Sequence, residues 1–113
     1  MPSLRQIGTE AEDQAANHLL ANGYTILARR YHAGRCEIDL IVLEQDLLVF
    51  IEVKYRKGNR YSALESITPR KMTHLKQAAE HYLIEHCLQE KNMRFDVITL
   101  TPRGIEHFKN AFS

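Results

Sequence analysis

Two charged residues stand inside an apolar stretch near the middle of the chain. Phe50-Ile51-Glu52-Val53-Lys54 closes a run of apolar and β-branched residues that begins at Leu47, and such a run is typical of a buried strand. Because side chains alternate along a strand, Glu52 and Lys54 point to the same face. Burying unpaired charge is costly. The pattern therefore indicates that this face has a partner ion or a functional role.

A second strand with a carboxylate precedes this one. The strand over 37–43 contains Asp39 and is separated from Leu47 by three residues, which predicts a hairpin of antiparallel neighbours. A two-residue turn at 45–46 places Asp39 directly opposite Glu52, with Cβ atoms about 4.5–5.5 Å apart. A three-residue turn would instead place Asp39 opposite Ile51, unless a bulge restored the phase. The acidic pair is thus a prediction about register.

The predicted pair suits metal-dependent hydrolysis. Two carboxylates held this close share a proton or bind a cation. Hard oxygen ligands at a partly open site favour Mg²⁺ or Mn²⁺, completed by water and substrate phosphate. Lys54 beside them would orient or deprotonate an attacking water, or neutralise charge that develops on a phosphate. The chemistry that fits is phosphodiester hydrolysis with Asp39, Glu52 and Lys54 as catalytic residues.

The same register also allows a purely structural explanation. Glu37 would lie opposite Lys54, and such residues often form ordinary cross-strand ion pairs on the solvated face of a hairpin. Against this, the carboxylates stand inside otherwise apolar strands, whereas a solvated face would be polar throughout.

The elements around the hairpin predict an α/β domain. An amphipathic helix spans 7–21, with Ala11, Ala15 and Leu19 on its apolar stripe, which Ala16 and Leu20 widen, and it ends at Asn22-Gly23. The remaining elements are a strand over 24–30, a polar connection over 31–36, the hairpin strands over 37–43 and 47–53, a helix from Pro69 to about His86 behind the N-cap Thr68, a strand over 94–100, and a segment over 105–112 that is either a strand or a helical turn. We therefore expect a mixed four- to five-stranded sheet flanked by helices, in the order α-β-β-β-α-β with a possible further strand.

Basic residues surround the predicted acidic pair. Aromatic residues at 31, 55 and 61 interleave with them, and the loops that carry them leave the same strand ends. A basic rim around an acidic centre is what a metal-dependent nuclease needs to hold a nucleic-acid backbone, and the alternative is a solvated loop. The basic residues are Arg29, Arg30, Arg35, Lys54, Arg56, Lys57 and Arg60.

Length and composition restrict the protein class. The chain has 113 residues, 44% of them hydrophobic and 26% charged, which is near the average for one globular domain. Cys36 and Cys87 have no metal-ligand spacing, as expected for reduced thiols. There is no signal-like apolar stretch at the start and no run of about 20 apolar residues that would span a bilayer. We expect a cytoplasmic protein without a membrane partner.

These residues resemble a known family pattern. Asp39, twelve residues, then Glu52-Val53-Lys54 is similar to the core of the PD-(D/E)XK nuclease superfamily, in its archaeal Holliday-junction-resolvase-like branch, and the chain resembles more closely the YraN-like family of bacterial proteins. The resemblance covers nearly the whole chain in order. The matching stretches are 8–19, 23–24, 37–41, 50–54, Lys71, 79–83 and 94–97.

The resemblance implies a restriction-endonuclease-like domain over 1–113 that acts on DNA. It implies Asp39 and Glu52 as ligands of Mg²⁺ or Mn²⁺, and Lys54 as the catalytic lysine. It also implies that Glu12 on the first helix joins the metal site, whereas periodicity alone places Glu12 at the edge of the apolar stripe, reaching solvent. Lys71 becomes a candidate phosphate contact. A homodimer is a further implication, because resolvases cut two strands.

Two positions depart from the family pattern. Cys36 replaces the usual glycine before the Glu-Ile-Asp run, and Arg30 replaces an asparagine that is common after the first strand. Three functions follow from the pattern as a whole. The first is a metal-dependent nuclease, with branched DNA as a candidate substrate. The second is a nucleic-acid-binding module that keeps the fold without turnover, and a protein-interaction domain with a vestigial site is the third, weaker reading.

Overall fold

The fold is a five-stranded mixed sheet with two helices. The structure is a computed structural model that describes residues 3–56 and 67–112. Its strands follow the chain order β1-β2-β3-β4-β5 across the sheet, and only the β3–β4 pair is parallel. The elements are α1 (Leu4–Ala21), β1 (Thr25–Ala33), β2 (Cys36–Glu44), β3 (Leu47–Tyr55), α2 (Pro69–Glu85), β4 (Met93–Thr101) and β5 (Gly104–Phe112). The α/β prediction and its element order are confirmed, and the undecided last segment is a strand.

Helix α1 is fixed at both ends. At its start, Ser3 and Gln6 form a reciprocal capping box. At its end, Gly23 has a φ of 87°, a left-handed conformation that glycine adopts readily. The helix buries Ala11, Ala15, Ala16 and Leu19. The prediction that Leu20 extends the apolar stripe is wrong, since 54% of that residue is exposed.

The two hairpins align the strands that carry the acidic pair. Glu44 pairs with Leu47, so the β2–β3 turn contains two residues, and the predicted register is confirmed. The β1–β2 turn is shorter than expected. Strand β1 continues to Ala33, whereas the sequence predicted a polar connection over 31–36. Both turns therefore hold β1, β2 and β3 in a continuous antiparallel ladder over most of their length.

Helix α2 makes the crossover that brings β4 parallel to β3. Thr68 caps it by accepting a hydrogen bond from the Lys71 backbone N–H, and Pro69 occupies its first turn. It packs on one sheet face with five buried residues, and α1 packs on the other. No helix in the described part of the chain combines the length and apolar character that crossing a bilayer requires. The buried residues of α2 are Leu75, Ala78, Ala79, Tyr82 and Leu83.

An ionic network ties β4 and β5 to the β2–β3 turn. Asp96 has a side chain with no exposed surface, and Arg94 binds it through Nε and Nη2 at 2.7 and 2.8 Å. Nε2 of His107 lies 2.7 Å from the same carboxylate, and the Asn110 backbone N–H donates to it at 2.9 Å. Burial alone would raise the pKa of Asp96, but these hydrogen bonds outweigh burial and lower it. These contacts make Asp96 a structural residue that joins β4 to β5.

Candidate active site

The regular pairing of β2 with β3 ends next to Asp39, one of the two predicted catalytic carboxyls. The last β2–β3 pair is Leu40 with Ile51, and continuation of that register places Asp39 across from Glu52. Oδ2 of Asp39 accepts a hydrogen bond from the Val53 backbone N–H at 2.8 Å. The carboxyl of Asp39 thus binds an N–H of the neighbouring strand, at the point where the regular ladder between β2 and β3 ends.

Asp39 and Glu52 form a close carboxyl pair. Burial, together with hydrogen bonding and charge repulsion from Glu52, raises the pKa of Asp39 to about 8, although the Val53 N–H and Lys71 act in the opposite direction. The carboxyl of Asp39 therefore holds a proton more strongly than an ordinary aspartate does. This proton belongs to the pair, because two adjacent carboxylates titrate together.

Glu52 is almost completely buried and incompletely satisfied. Only 4% of the residue is exposed. Nζ of Lys71 lies 3.2 Å from Oε2, which is an ion-pair distance. This contact is an ion pair without hydrogen-bond geometry: Oε2 has no hydrogen-bond partner within residues 3–56 and 67–112. A buried carboxylate oxygen without a hydrogen-bond donor is costly, and the ammonium of Lys71 is the cation beside it.

Glu12 is buried, so the solvent-facing interpretation is wrong. It is 8% exposed, and both of its carboxyl oxygens lie 3.2–3.3 Å from Nε of Arg30. Burial and the nearby charge of Asp39 raise the pKa of Glu12, while Arg30 lowers it. The guanidinium of Arg30 is the direct partner of Glu12, and Arg30 in turn faces Asp39 in the β1–β2 register.

The three carboxyls do not form a ready-made metal cage. Among the described residues, no three His, Cys, Asp or Glu side chains are arranged to hold a metal ion. The donor set nevertheless suits a hard divalent cation, since Mg²⁺ commonly takes one or two protein carboxylates and keeps several waters. Asp39 and Glu52 provide such a pair, and Oε2 of Glu52, which is ion-paired with Lys71 but accepts no hydrogen bond from a described residue, supplies one of the oxygens. Glu12 would join only after leaving Arg30.

Lys54 lies at the same end of β3 as the carboxyl pair. It is half-buried, and by strand alternation it shares a face with Glu52. The structural alternative that paired Lys54 with Glu37 is not formed: Glu37 lies opposite His32 of β1, and the two side chains approach to 3.7 Å. Lys54 makes no ion pair with any carboxylate in the described part of the chain.

Several predicted phosphate-binding residues have protein partners. Arg29 pairs with Asp13, Arg30 with Glu12, and Lys71 with Glu52. Arg35 is exposed in the β1–β2 turn, and the buried Nε of Arg56 has no hydrogen-bond partner within the described ranges. The Arg56 backbone N–H binds the Leu100 carbonyl, which fixes Arg56 just beyond the end of β3. Lys57 and Arg60, which were also predicted to bind phosphate, lie outside the described residues.

The direct partners of the acidic residues were missed by sequence reasoning. Lys71 was predicted as a phosphate contact, but it lies against Glu52. Arg30 was predicted as a phosphate contact and as a departure from the family asparagine, and its backbone φ of 52° is in the left-handed region that asparagine tolerates better than arginine. That departure was the one sequence signal of the Arg30–Glu12 pair.

The raised pKa of Asp39 predicts a pH-dependent stability. Its folded-state pKa of about 8 exceeds the ordinary value of 3.8, so the folded state binds this proton more tightly than the unfolded state. The resulting stabilisation is fully present below about pH 4 and is lost as pH rises toward 8. We expect the unfolding free energy of the wild type, relative to Asp39→Asn, to fall between pH 5 and 8.5.

Urea unfolding in EDTA at a series of pH values measures this difference. The comparison with Asp39→Asn cancels the titration of other groups such as Asp96. A difference between the two proteins that stays constant across this range would show that Asp39 does not carry the proton.

Comparison with known proteins matches most of this chain to one family. The model described as Uncharacterised protein family UPF0102 matches residues 11–100, a range that includes Glu12, Asp39, Glu52, Lys54 and Lys71. A UPF0102 protein of Saccharophagus degradans is 42% identical over 115 aligned positions, which cover 100% of this chain and 98% of that protein. One of Nitrosococcus oceani is 44% identical over 86% of this chain and 80% of its own length. The UPF0102 protein Francci3_3586 of Frankia casuarinae is 39% identical over 94% and 95%.

Proposed function

The chain belongs to the UPF0102 family, and from its carboxyl pair we propose that it is a metal-dependent nuclease that hydrolyses DNA phosphodiester bonds. One observation carries the proposal: Asp39 and Glu52 are held together where the β2–β3 ladder ends, and a buried oxygen of Glu52 has no donor among the described residues. The predicted resemblance to the YraN-like family agrees with the family match. The five-stranded mixed sheet and the Asp39…Glu52-Val53-Lys54 arrangement support a PD-(D/E)XK-type site.

The residues divide the work of hydrolysis among them. Asp39 and Glu52 are the residues that would hold Mg²⁺ or Mn²⁺, with both carboxyls ionised as ligands. A divalent cation bound there supplies Lewis acidity to the phosphate and lowers the pKa of its water. Lys54 orients the attacking water and offsets the negative charge that develops on the phosphate.

The cations at the rim position the nucleic-acid backbone. Arg35 and Arg56 lie at the end of the sheet where Asp39 and Glu52 stand, and their charges bind phosphates without reading base sequence. Lys71 is close enough to Glu52 to exchange its carboxylate for a phosphate of the substrate. Recognition by backbone and shape fits branched DNA as the substrate class.

A nucleic-acid-binding module without turnover is the second candidate. The observation that favours it is that Lys71 and Arg30 already neutralise Glu52 and Glu12 as internal counter-ions. If those pairs persist when nucleic acid binds, the basic rim still binds phosphates while the carboxyls hold no metal. The two candidates differ in whether binding is followed by metal-dependent cleavage.

A panel of DNA substrates separates the candidates. The full chain is incubated with duplex, single-stranded, flap and four-way-junction DNA, each with Mg²⁺, Mn²⁺ or EDTA. We expect cleavage of at least one substrate, dependent on the metal and abolished in Asp39→Asn. Asp13→Asn makes the same chemical change at an exposed position of α1 and is expected to cleave like the wild type.

Each outcome of this panel decides between the candidates. Binding to DNA without metal-dependent cleavage of any substrate would eliminate the nuclease and leave the binding module. Neither binding nor cleavage would eliminate both. Equal cleavage by wild type and Asp39→Asn would place the chemistry outside the carboxyl pair.

A further inference from the structure

Arg30 has an unusual backbone conformation for its position. Its φ is 52°, in the left-handed region that arginine seldom occupies. It lies inside strand β1, away from either turn, between the paired residues Arg29 and Tyr31. The β1–β2 pairing omits Arg30 and Asp39, which face each other in this register. The strained residue of β1 is therefore directly across from a carboxyl of the proposed metal site.

The side chain of Arg30 is bound by two residues of helix α1. Its Nε lies 3.2–3.3 Å from both carboxyl oxygens of Glu12, and its Nη2 donates to Oγ1 of Thr9 at 2.7 Å. Thr9 and Glu12 are three residues apart on α1, so they lie on one face of the helix. Charge-assisted hydrogen bonds of this kind are among the stronger contacts in proteins, and they anchor Arg30 to α1.

Two cations compete for the carboxylate of Glu12: the guanidinium of Arg30 and the proposed divalent ion. Glu12 is 8% exposed and binds Arg30, the residue that faces Asp39 in the β1–β2 register, so this buried carboxylate requires a cation. Arg30 is that cation in the structure, and it engages both oxygens of the carboxylate. A divalent ion at Asp39 and Glu52 would attract the same carboxylate, but Glu12 can bind it only if the guanidinium withdraws.

We propose that Arg30 is a positioning residue that competes with the metal ion for Glu12 and thereby weakens metal binding. The inference rests on the proposed metal site. Arg30 holds Glu12 away from the ion, and the affinity of the free protein for Mg²⁺ or Mn²⁺ is set by the two carboxyls of Asp39 and Glu52. Release of Arg30 converts a two-carboxylate site into a three-carboxylate site.

Replacing Arg30 with asparagine tests the competition. Asparagine adopts the left-handed conformation more readily than arginine, so Arg30→Asn removes the guanidinium while keeping the backbone. Mn²⁺ alone is titrated into the full chain by calorimetry, without nucleic acid. We expect Arg30→Asn to bind Mn²⁺ roughly tenfold more tightly than the wild type, comparable to other changes at the outer shell of a metal site.

Two controls separate competition for Glu12 from a general loss of positive charge. Arg29→Asn removes the same charge from the adjacent residue, whose partner is Asp13, and is expected to leave the Mn²⁺ affinity within about twofold of the wild type. In a Glu12→Gln background, Arg30→Asn is expected to have no effect, because the carboxylate that it releases is absent. Urea unfolding of each variant verifies that it is folded.

The results that overturn the inference are distinct from those that overturn the proposed function. If the wild type binds Mn²⁺ but Arg30→Asn binds it no more tightly, the competition is wrong and the metal site remains. The competition is also wrong if Arg30→Asn increases affinity equally with Glu12→Gln present. If no variant and no wild type binds Mn²⁺, the metal site itself is wrong and the inference is overturned with it.

Discussion

Lys54→Met is expected to lower metal-dependent DNA cleavage about 10³-fold while leaving Mn²⁺ affinity nearly unchanged. Lys54 shares a face with Glu52 but makes no ion pair with a carboxylate in the described residues, so its loss does not disturb the proposed ligands. Methionine keeps most of the length and apolar stem of the side chain. The two measurements are initial cleavage rates with Mn²⁺ and Mn²⁺ titration without DNA.

Glu52→Gln is the matched variant for this prediction. It preserves shape but removes a proposed ligand, so we expect it to lose both cleavage and metal binding. A Lys54→Met protein that cleaves within threefold of the wild type would show that Lys54 has no catalytic role. Equal loss of Mn²⁺ affinity in both variants would show that Lys54 acts on the ligand geometry.

Arg94→Met is expected to lower the free energy of unfolding by about 3 kcal/mol. The substitution removes both hydrogen bonds from Arg94 to Asp96 and leaves a fully buried carboxylate with His107 and one backbone N–H. It also removes the contact of Arg94 with Glu44, which joins β4 to the β2–β3 turn. Urea unfolding at pH 7 measures the change.

Arg29→Met is the control for the buried network. Its ion pair with Asp13 is exposed on both sides, and exposed pairs contribute about 0–1 kcal/mol. We expect its unfolding free energy to lie within about 0.5 kcal/mol of the wild type. A loss below about 1 kcal/mol in Arg94→Met would indicate that His107 alone satisfies Asp96.

The hairpin register was predictable because one local feature determines it. With two residues between Glu44 and Leu47, strand alternation fixes which residues face each other, and the structure has this turn. The family pattern then identified Asp39 and Glu52 as the chemical pair. Both inferences rest on short distances along the chain, where geometry allows few alternatives.

The end of β1 was not predictable by the same reasoning. Tyr31, His32 and Ala33 form the last part of an edge strand whose side chains are mostly exposed or half-buried. Such a strand does not require the apolar alternation that marks a strand with a buried face. The sequence therefore read these residues as a polar connection.

The ion pairs of the site were beyond sequence reasoning because they join distant segments. Lys71 meets Glu52 only after α2 docks on the sheet, and Arg30 meets Glu12 only after α1 packs against β1. Spacing along the chain carries no information about such pairs. They matter because they determine which carboxyls have internal counter-ions before any metal binds.

Titration of Mn²⁺ into the wild type and Glu52→Gln side by side tests the proposed metal site most directly. The arrangement of Asp39 and Glu52 predicts one Mn²⁺ per wild-type chain, and binding that is roughly 100-fold weaker or absent in Glu52→Gln. Equal affinities in the two proteins, or no Mn²⁺ binding by the wild type, would contradict a metal site at this carboxyl pair.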